Sequence, residues 1–286
     1  MAESNLPQSA IPPVAESSPQ ASLFLREGPS KGATVPCRRV VTLIGSREGC
    51  KVVLNHRRVA PVHLVLVNDG ATIKAVDTLT SSGTKLNGLN LQLENLADGD
   101  VLSIGEWEFQ VRMQTPTIGG TADLHPLDLD PTPSIVALEH LETGRLLQPN
   151  RDVCLIGRRN GCDIVLPDPR VSRAHALIVT YYGHPAIVDL LTANQTFVND
   201  EPIRFRNLKD NDILTIGETK FRVRLVGSKV GEKPSTNGKA KKTDTPLRLT
   251  SEPVSSDLIN IEKVEGSQRW QVAENHEKLE KASRRG

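Results

Sequence analysis

Leu155-Ile156-Gly157-Arg158-Arg159-Asn160-Gly161-Cys162-Asp163-Ile164-Val165-Leu166 decides the fold, because its outline has already occurred once in the chain. Leu43-Ile44-Gly45 precedes Leu155-Ile156-Gly157 by 112 positions, and Gly49-Cys50 precedes Gly161-Cys162 by the same interval. Without a gap, that interval also relates His63 to His175, Asp77 to Asp189, Asn87 to Asn199 and Phe109 to Phe221. It relates Ser103-Ile104-Gly105-Glu106 to Thr215-Ile216-Gly217-Glu218, and reaches back to Ser22 with Ser134 and Gly32 with Gly144. A period this long marks a duplicated domain, since solenoid units are much shorter. Each copy has roughly 90 residues, enough for its own core.

Within the second copy, Asp163–Leu166, Ala176–Thr180, Ala186–Asp189, Thr196–Val198 and Phe221–Leu225 are short and rich in β-branched residues. Turn signals bound them at Asn160-Gly161, Pro167-Asp168-Pro169, Gly183, Asn199-Asp200 and Lys209-Asp210-Asn211-Asp212. Short, evenly spaced strands with almost no helical periodicity predict an all-β fold, two tandem sandwiches. The expected organisation is a disordered Pro/Ser/Ala-rich segment at 1–20, a first domain at 21–113, a Pro/Gly/Thr/Asp-rich linker at 114–132, a second domain at 133–226 and a flexible tail at 227–286. The tail's end, from about Gln268, carries Glu274–Lys278 and Glu277–Lys281 at i, i+4, the pattern of a short helix.

Composition removes several function classes. The 286 residues have a formal net charge of +1, so no global excess of either sign calls for nucleic acid or a basic partner. Aromatic residues are 3%, too few for a base-stacking platform. The lysines at 233, 239, 241 and 242 stand near acidic residues and read as a solvated tail, against a nucleic-acid-binding role that steep salt dependence would reveal. Four separated cysteines (Cys37, Cys50, Cys154, Cys162) form no CxxC pair and read as reduced, buried thiols. Neither a signal-peptide pattern nor an apolar run of membrane-spanning length is present, so a cytoplasmic protein without a membrane partner is expected. No metal-ligand spacing, nucleophile elbow, Walker loop or kinase signature occurs, so no cofactor, no metal and no enzyme activity are expected.

The second copy contains three ordered pieces: Gly157-Arg158, then Val171-Ser172-Arg173-Ala174-His175, then Asn194-Gln195-Thr196-Phe197-Val198-Asn199. This resembles the forkhead-associated (FHA) domain, whose pattern is Gly-Arg, Ser-Arg-x-His and Thr-Asn-Gly-Thr-x-Val-Asn on loops at one end of a β-sandwich. The resemblance covers the whole copy and implies a phosphothreonine-peptide reader. A phosphate dianion calls for a charged planar donor with neutral hydroxyl and amide donors around it. By resemblance Arg158 supplies the fork, Ser172 the hydroxyl and Asn194 a hydrogen bond to the peptide main chain, while Arg173 and Arg170 add charge at the rim. Gly157, His175 and Asn199 are implied as loop supports; His175 and Asn199 recur in the first copy as His63 and Asn87. The copy departs from the family at Ala193-Asn194-Gln195, which lacks the usual Thr hydroxyl and Gly, and at Leu191, which stands where Gly is common. Weakened binding or an altered threonine preference is the expected consequence.

The first copy keeps the scaffold and loses the donors. Ser46 follows Gly45, Ala60-Pro61-Val62-His63 replaces Ser-Arg-x-His, and Ser82 stands in the Asn position. Pro61 also removes a backbone donor. A structural pseudo-domain is expected there, although Arg47, Arg57 and Arg58 lie nearby. The whole reads as a phosphothreonine-binding adaptor in Ser/Thr kinase signalling, with a Ser/Thr-phosphorylated protein and a Ser/Thr kinase as partners. The alternative is a phosphate-independent protein-interaction scaffold. Thr115, Thr117, Thr121 and Thr132, if phosphorylated, offer the second domain a ligand in cis or in a neighbouring copy.

Overall fold

In this computed structural model, residues 11–114, 135–149, 151–226 and 270–271 are described. Among them there is no helix. The first copy comprises β1 (Gln20–Glu27), β2 (Thr34–Cys37), β3 (Val41–Gly45), β4 (Val52–Val53), β5 (Leu64–Asn68), β6 (Ile73–Asp77), β7 (Thr84–Leu86), β8 (Leu89–Leu91), β9 (Leu93–Asn95), β10 (Val101–Ile104) and β11 (Trp107–Gln114). The second comprises β12 (Ile135–His140), β13 (Leu146–Leu147), β14 (Val153–Gly157), β15 (Ile164–Val165), β16 (Ala176–Tyr181), β17 (His184–Asp189), β18 (Thr196–Val198), β19 (Glu201–Ile203), β20 (Phe205–Asn207), β21 (Ile213–Ile216) and β22 (Thr219–Val226). A two-residue strand, β23 (Trp270–Gln271), pairs parallel with β15.

Each copy is a sandwich of two sheets. The first has sheets β2-β1-β11-β10-β7-β8 and β4-β3-β5-β6-β9; the second repeats them as β13-β12-β22-β21-β18-β19 and β20-β17-β16-β14-β15, extended by β23. Registers repeat at the sequence offset: Ile44 faces Val52 in the parallel β3–β4 pair, and Ile156 faces Ile164 in β14–β15.

The apolar residues divide into three clusters. Leu23, Ile44, Leu64, Leu66, Leu102 and Phe109 fill the first sandwich, and Leu138, Ile156, Ile178, Ile187, Leu214 and Phe221 fill the second. The third cluster draws on both: Leu43, Val65, Val67 and Val76 meet Leu155, Leu177, Val179 and Val188. Neighbours along one strand, such as Ile44 and Leu43, therefore point into different cores. This explains why β3, β5, β14 and β16 read as nearly continuous apolar runs, the pattern of strands covered on both faces. Both sandwiches fall within one compact unit.

The expectation of disorder for 1–20 is corrected for residues 11–20. Ile11 is fully buried and Val14 is 7% exposed, both in the shared cluster. Pro13 bridges Arg39, Val14 N donates to the Arg38 carbonyl at 3.0 Å, and Val40 N to the Pro12 carbonyl at 3.0 Å. Two apolar side chains buried in the shared cluster outweigh a disorder-like composition. The linker, the lysine-rich tail and the four linker threonines lie outside the described residues, as does the helix expected from about Gln268, apart from the strand at Trp270–Gln271. All four cysteines are free and buried, and burial is the chief cause that pushes the Cys162 thiol up to about 12.

Candidate functional site

The site begins where β14 ends. A Cβ on Gly157 would stand 2.3 Å from the Arg173 carbonyl oxygen, so only glycine lets the end of β14 lie against the following loop. Two backbone bonds then zip the loops together: Arg158 N donates to the Ser172 carbonyl at 3.0 Å, and Arg159 N to the Arg173 carbonyl at 3.2 Å. Arg158, Arg159 and Arg173 line an open cleft of about 310 Å³. Arg158 and Arg173 are exposed and, among the described residues, neither is paired with a carboxylate. Such a cleft suits an anion with several acceptor oxygens.

His175 is fully buried beneath these loops. Its Nδ1 accepts from Ser172 N at 3.0 Å, which places the proton on Nε2, facing the Gln195 carbonyl at 3.1 Å and Thr192 Oγ1 at 3.2 Å. Burial is the largest influence on its pKa and lowers it, against the opposing pull of Asp189 and the Gln195 carbonyl. A neutral imidazole thus joins the Ser172 loop to the loop that carries Asn194. Asp189 anchors the latter: its carboxylate accepts from Thr192 N at 2.9 Å, Thr192 Oγ1 at 2.7 Å and Thr196 Oγ1 at 2.9 Å.

The remaining expected residues are placed as follows. Ser172 is half-buried beside Arg173, and Asn194 is exposed with Nδ2 donating to the Arg170 carbonyl at 2.7 Å. Neither lines the cleft: Ser172 precedes its Arg173, and Asn194 stands on the next loop, tied to the Arg170 carbonyl. Arg170 is turned toward Glu218 in an exposed 2.7 Å ion pair, worth little in water. Asp168 fixes that corner by accepting from Arg170 N and Glu218 N, each at 2.7 Å; these bonds outweigh burial and hold its carboxyl below the usual value. Asn199 lies apart, at the β18–β19 turn, where Oδ1 accepts from Ile213 N and Nδ2 donates to Asp212 Oδ1, both at 2.8 Å.

Sequence reasoning missed Arg159, the third arginine of the cleft, whose guanidinium donates to the Leu79 carbonyl of the first sandwich. Its mate at the repeat offset, Arg47, donates to the Leu191 carbonyl of the second. The signal was present: Arg47 and Arg159 are themselves a repeated pair.

With this geometry in hand, comparison with known proteins is decisive. Residues 154–217 match the FHA domain family. The second sandwich is an FHA domain. The first sandwich shares the FHA domain's strand order and is FHA-like, although its residues 24–115 match a different family, "Inner membrane component of T3SS, cytoplasmic domain". Among curated proteins, the chain is 34% identical over 84 residues to the FHA domain-containing protein FhaA of Mycobacterium tuberculosis, covering 29% of this chain and 16% of FhaA. It is 40% identical over 83 residues to the glycogen accumulation regulator GarA of the same organism, covering 29% of this chain and 50% of GarA. The chain spans between 7% and 50% of the length of the curated relatives it matches. A solved structure from a study of phosphothreonine-dependent FHA domain interactions is 33% identical, with a TM-score of 0.30, covering 32% of this chain and 95% of that one.

Proposed function

We propose that this chain is an adaptor in Ser/Thr kinase signalling, acting in the cytoplasm as a binding protein without catalysis, with the FHA domain at 133–226 as a reader of phosphothreonine peptides. The observation that carries the reading is the open cleft lined by Arg158, Arg159 and Arg173 on loops braced by a neutral His175. Arg158 is the fork for the phosphate, Arg173 a second cation, Ser172 the neighbouring hydroxyl donor, and Asn194 the register-setting contact to the peptide backbone. In this role Asn194 exchanges its bond to the Arg170 carbonyl for one to the peptide. Arg170, engaged by Glu218, contributes at the rim. A few charge-assisted bonds of about 1.5–3 kcal/mol each suffice for the roughly 8 kcal/mol of a micromolar complex. The study behind the 33% identical structure concerns phosphothreonine-dependent interactions, which supports the same ligand class and partners phosphorylated by a Ser/Thr kinase.

The first sandwich, at 21–113, is proposed not to bind phosphate by this route, since Ser46, Ala60, Pro61 and Ser82 stand where the donors belong. Titrating a phosphothreonine peptide library and its dephosphorylated twin against the full chain tests the reading. Binding confined to phosphorylated peptides and weakened by about 2 kcal/mol in Arg158→Ala is expected. Equal binding of both forms would instead identify a phosphate-independent scaffold.

A further inference from the structure

The seam between the sandwiches runs into the recognition loops. Arg47 of the first sandwich donates from Nη1 to the carbonyl of Leu191, within the segment that leads to Asn194. Arg159 of the second donates from Nη1 to the carbonyl of Leu79. The two contacts are mates at the repeat offset, so the seam is isologous within one chain. Leu191 holds φ at +60°, a left-handed backbone that ordinarily calls for glycine. Its side chain is 7% exposed in the shared core, and a Cβ on Gly49 would stand 3.1 Å from its Cδ2. A bulky residue stays in that backbone region only where its surroundings over-determine it. Here Arg47 and Gly49 of the first sandwich supply those surroundings.

We propose that the first sandwich is a positioning element of the phosphopeptide cleft. Arg47 and the space over Gly49 fix the loop that carries Asn194, and the Leu79 carbonyl fixes Arg159, one of the three cleft arginines. The inference rests on the reading of that cleft given above. It explains why the first copy keeps Arg47, Gly49 and Leu79 after losing every phosphate donor. It also assigns a use to Leu191, the departure from the family pattern that the ligand-facing residues do not explain.

The test uses the full chain with the best-bound phosphothreonine peptide from the library, its unphosphorylated twin, and the variants Leu191→Ala, Arg47→Ala, Arg47→Lys and Tyr182→Phe. Leu191→Ala removes the anchor without changing charge. Tyr182→Phe, at the far end of β16, deletes hydroxyl bonds to Ala15 N (2.9 Å) and Ser18 Oγ (2.6 Å) and serves as the stability control. Affinity for the phosphopeptide is expected to fall about tenfold in Leu191→Ala and Arg47→Ala. Arg47→Lys is expected to recover much of that loss, whereas Tyr182→Phe lowers Tm and leaves affinity unchanged. Parental affinity in both Leu191→Ala and Arg47→Ala, with phosphate discrimination intact in the parent, overturns the positioning role and leaves the cleft reading standing. A loss confined to Arg47→Ala is an effect of charge and overturns it as well. Equal binding of the two peptides by the parent overturns the cleft reading and the inference together.

Discussion

Set side by side, the two sandwiches share the bonds that hold the loops and differ in the groups that would meet a ligand. Ser46 N donates to the Ala60 carbonyl at 2.9 Å as Arg158 N does to that of Ser172 at 3.0 Å, and Arg47 N donates to the Pro61 carbonyl at 3.0 Å as Arg159 N does to that of Arg173 at 3.2 Å. His63 Nδ1 accepts from Ala60 N at 3.1 Å, and Nε2 faces the Gly83 carbonyl at 3.3 Å, the arrangement of His175. Even the exposed tie of Asn194 to the Arg170 carbonyl has a mate, since Ser82 Oγ donates to the Arg58 carbonyl at 2.6 Å. Loop architecture therefore does not depend on the phosphate donors. The proposed binding residues form a separate layer of side chains: Arg158, Ser172 and Asn194 on one sandwich stand where Ser46, Ala60 and Ser82 stand on the other.

The largest expected effect tests the shared layer. A Cβ on Gly45 or Gly157 would stand 2.2 or 2.3 Å from the carbonyl oxygen of Pro61 or Arg173, so Gly45→Ala and Gly157→Ala should each destabilise by about 3 kcal/mol in chemical denaturation. A large effect at one site alone would break the equivalence of the two scaffolds. Next comes the layer that differs. Arg158→Ala should weaken phosphopeptide binding by about 2 kcal/mol in a calorimetric titration while Tm stays near the parental value, and Ser46→Ala should change neither.

A smaller effect follows from the paired imidazoles. Burial, the chief cause in both, lowers the pKa of His63 and His175 below 6.5, so the unfolded chain binds more protons than the folded one in that range. Stability is then complete above the unfolded value and is lost as pH falls through it, by no more than about 1.4 kcal/mol per pH unit for each imidazole. Melting curves between pH 7.5 and 5.5, where carboxylates remain ionised, should show the decline. The smallest effect sharpens the comparison most. Asn194→Ser copies the first sandwich's tie, so Tm should hold within about 0.5 kcal/mol of stability while phosphopeptide affinity falls by about 1 kcal/mol.

The doubled sandwich was legible because a gap-free period of 112 ties strands, turns and buried residues to one another. Arg158, Ser172 and Asn194 were legible as residues on neighbouring loops. That Ser172 and Asn194 do not line the cleft, and that Glu218 takes up Arg170, depends on side-chain directions that spacing does not encode. The seam was half legible. Runs such as Val41–Gly45 and Leu64–Val67 announce burial on both faces, but nothing in a run of apolar residues names what covers it. Ile11 and Val14 were hidden by the prolines and serines around them. Arg159 was hidden by Arg158, an identical side chain one position away.

The three-cluster arrangement of apolar residues sets what selection can remove. Severing the chain between the halves would leave Leu43, Val65 and Val67 on one fragment, and Leu155, Leu177 and Val179 on the other, facing water. Exposed patches of that kind invite aggregation. Each half thus covers apolar surface that would otherwise meet water on the other, a service that does not depend on its own loop-tip side chains.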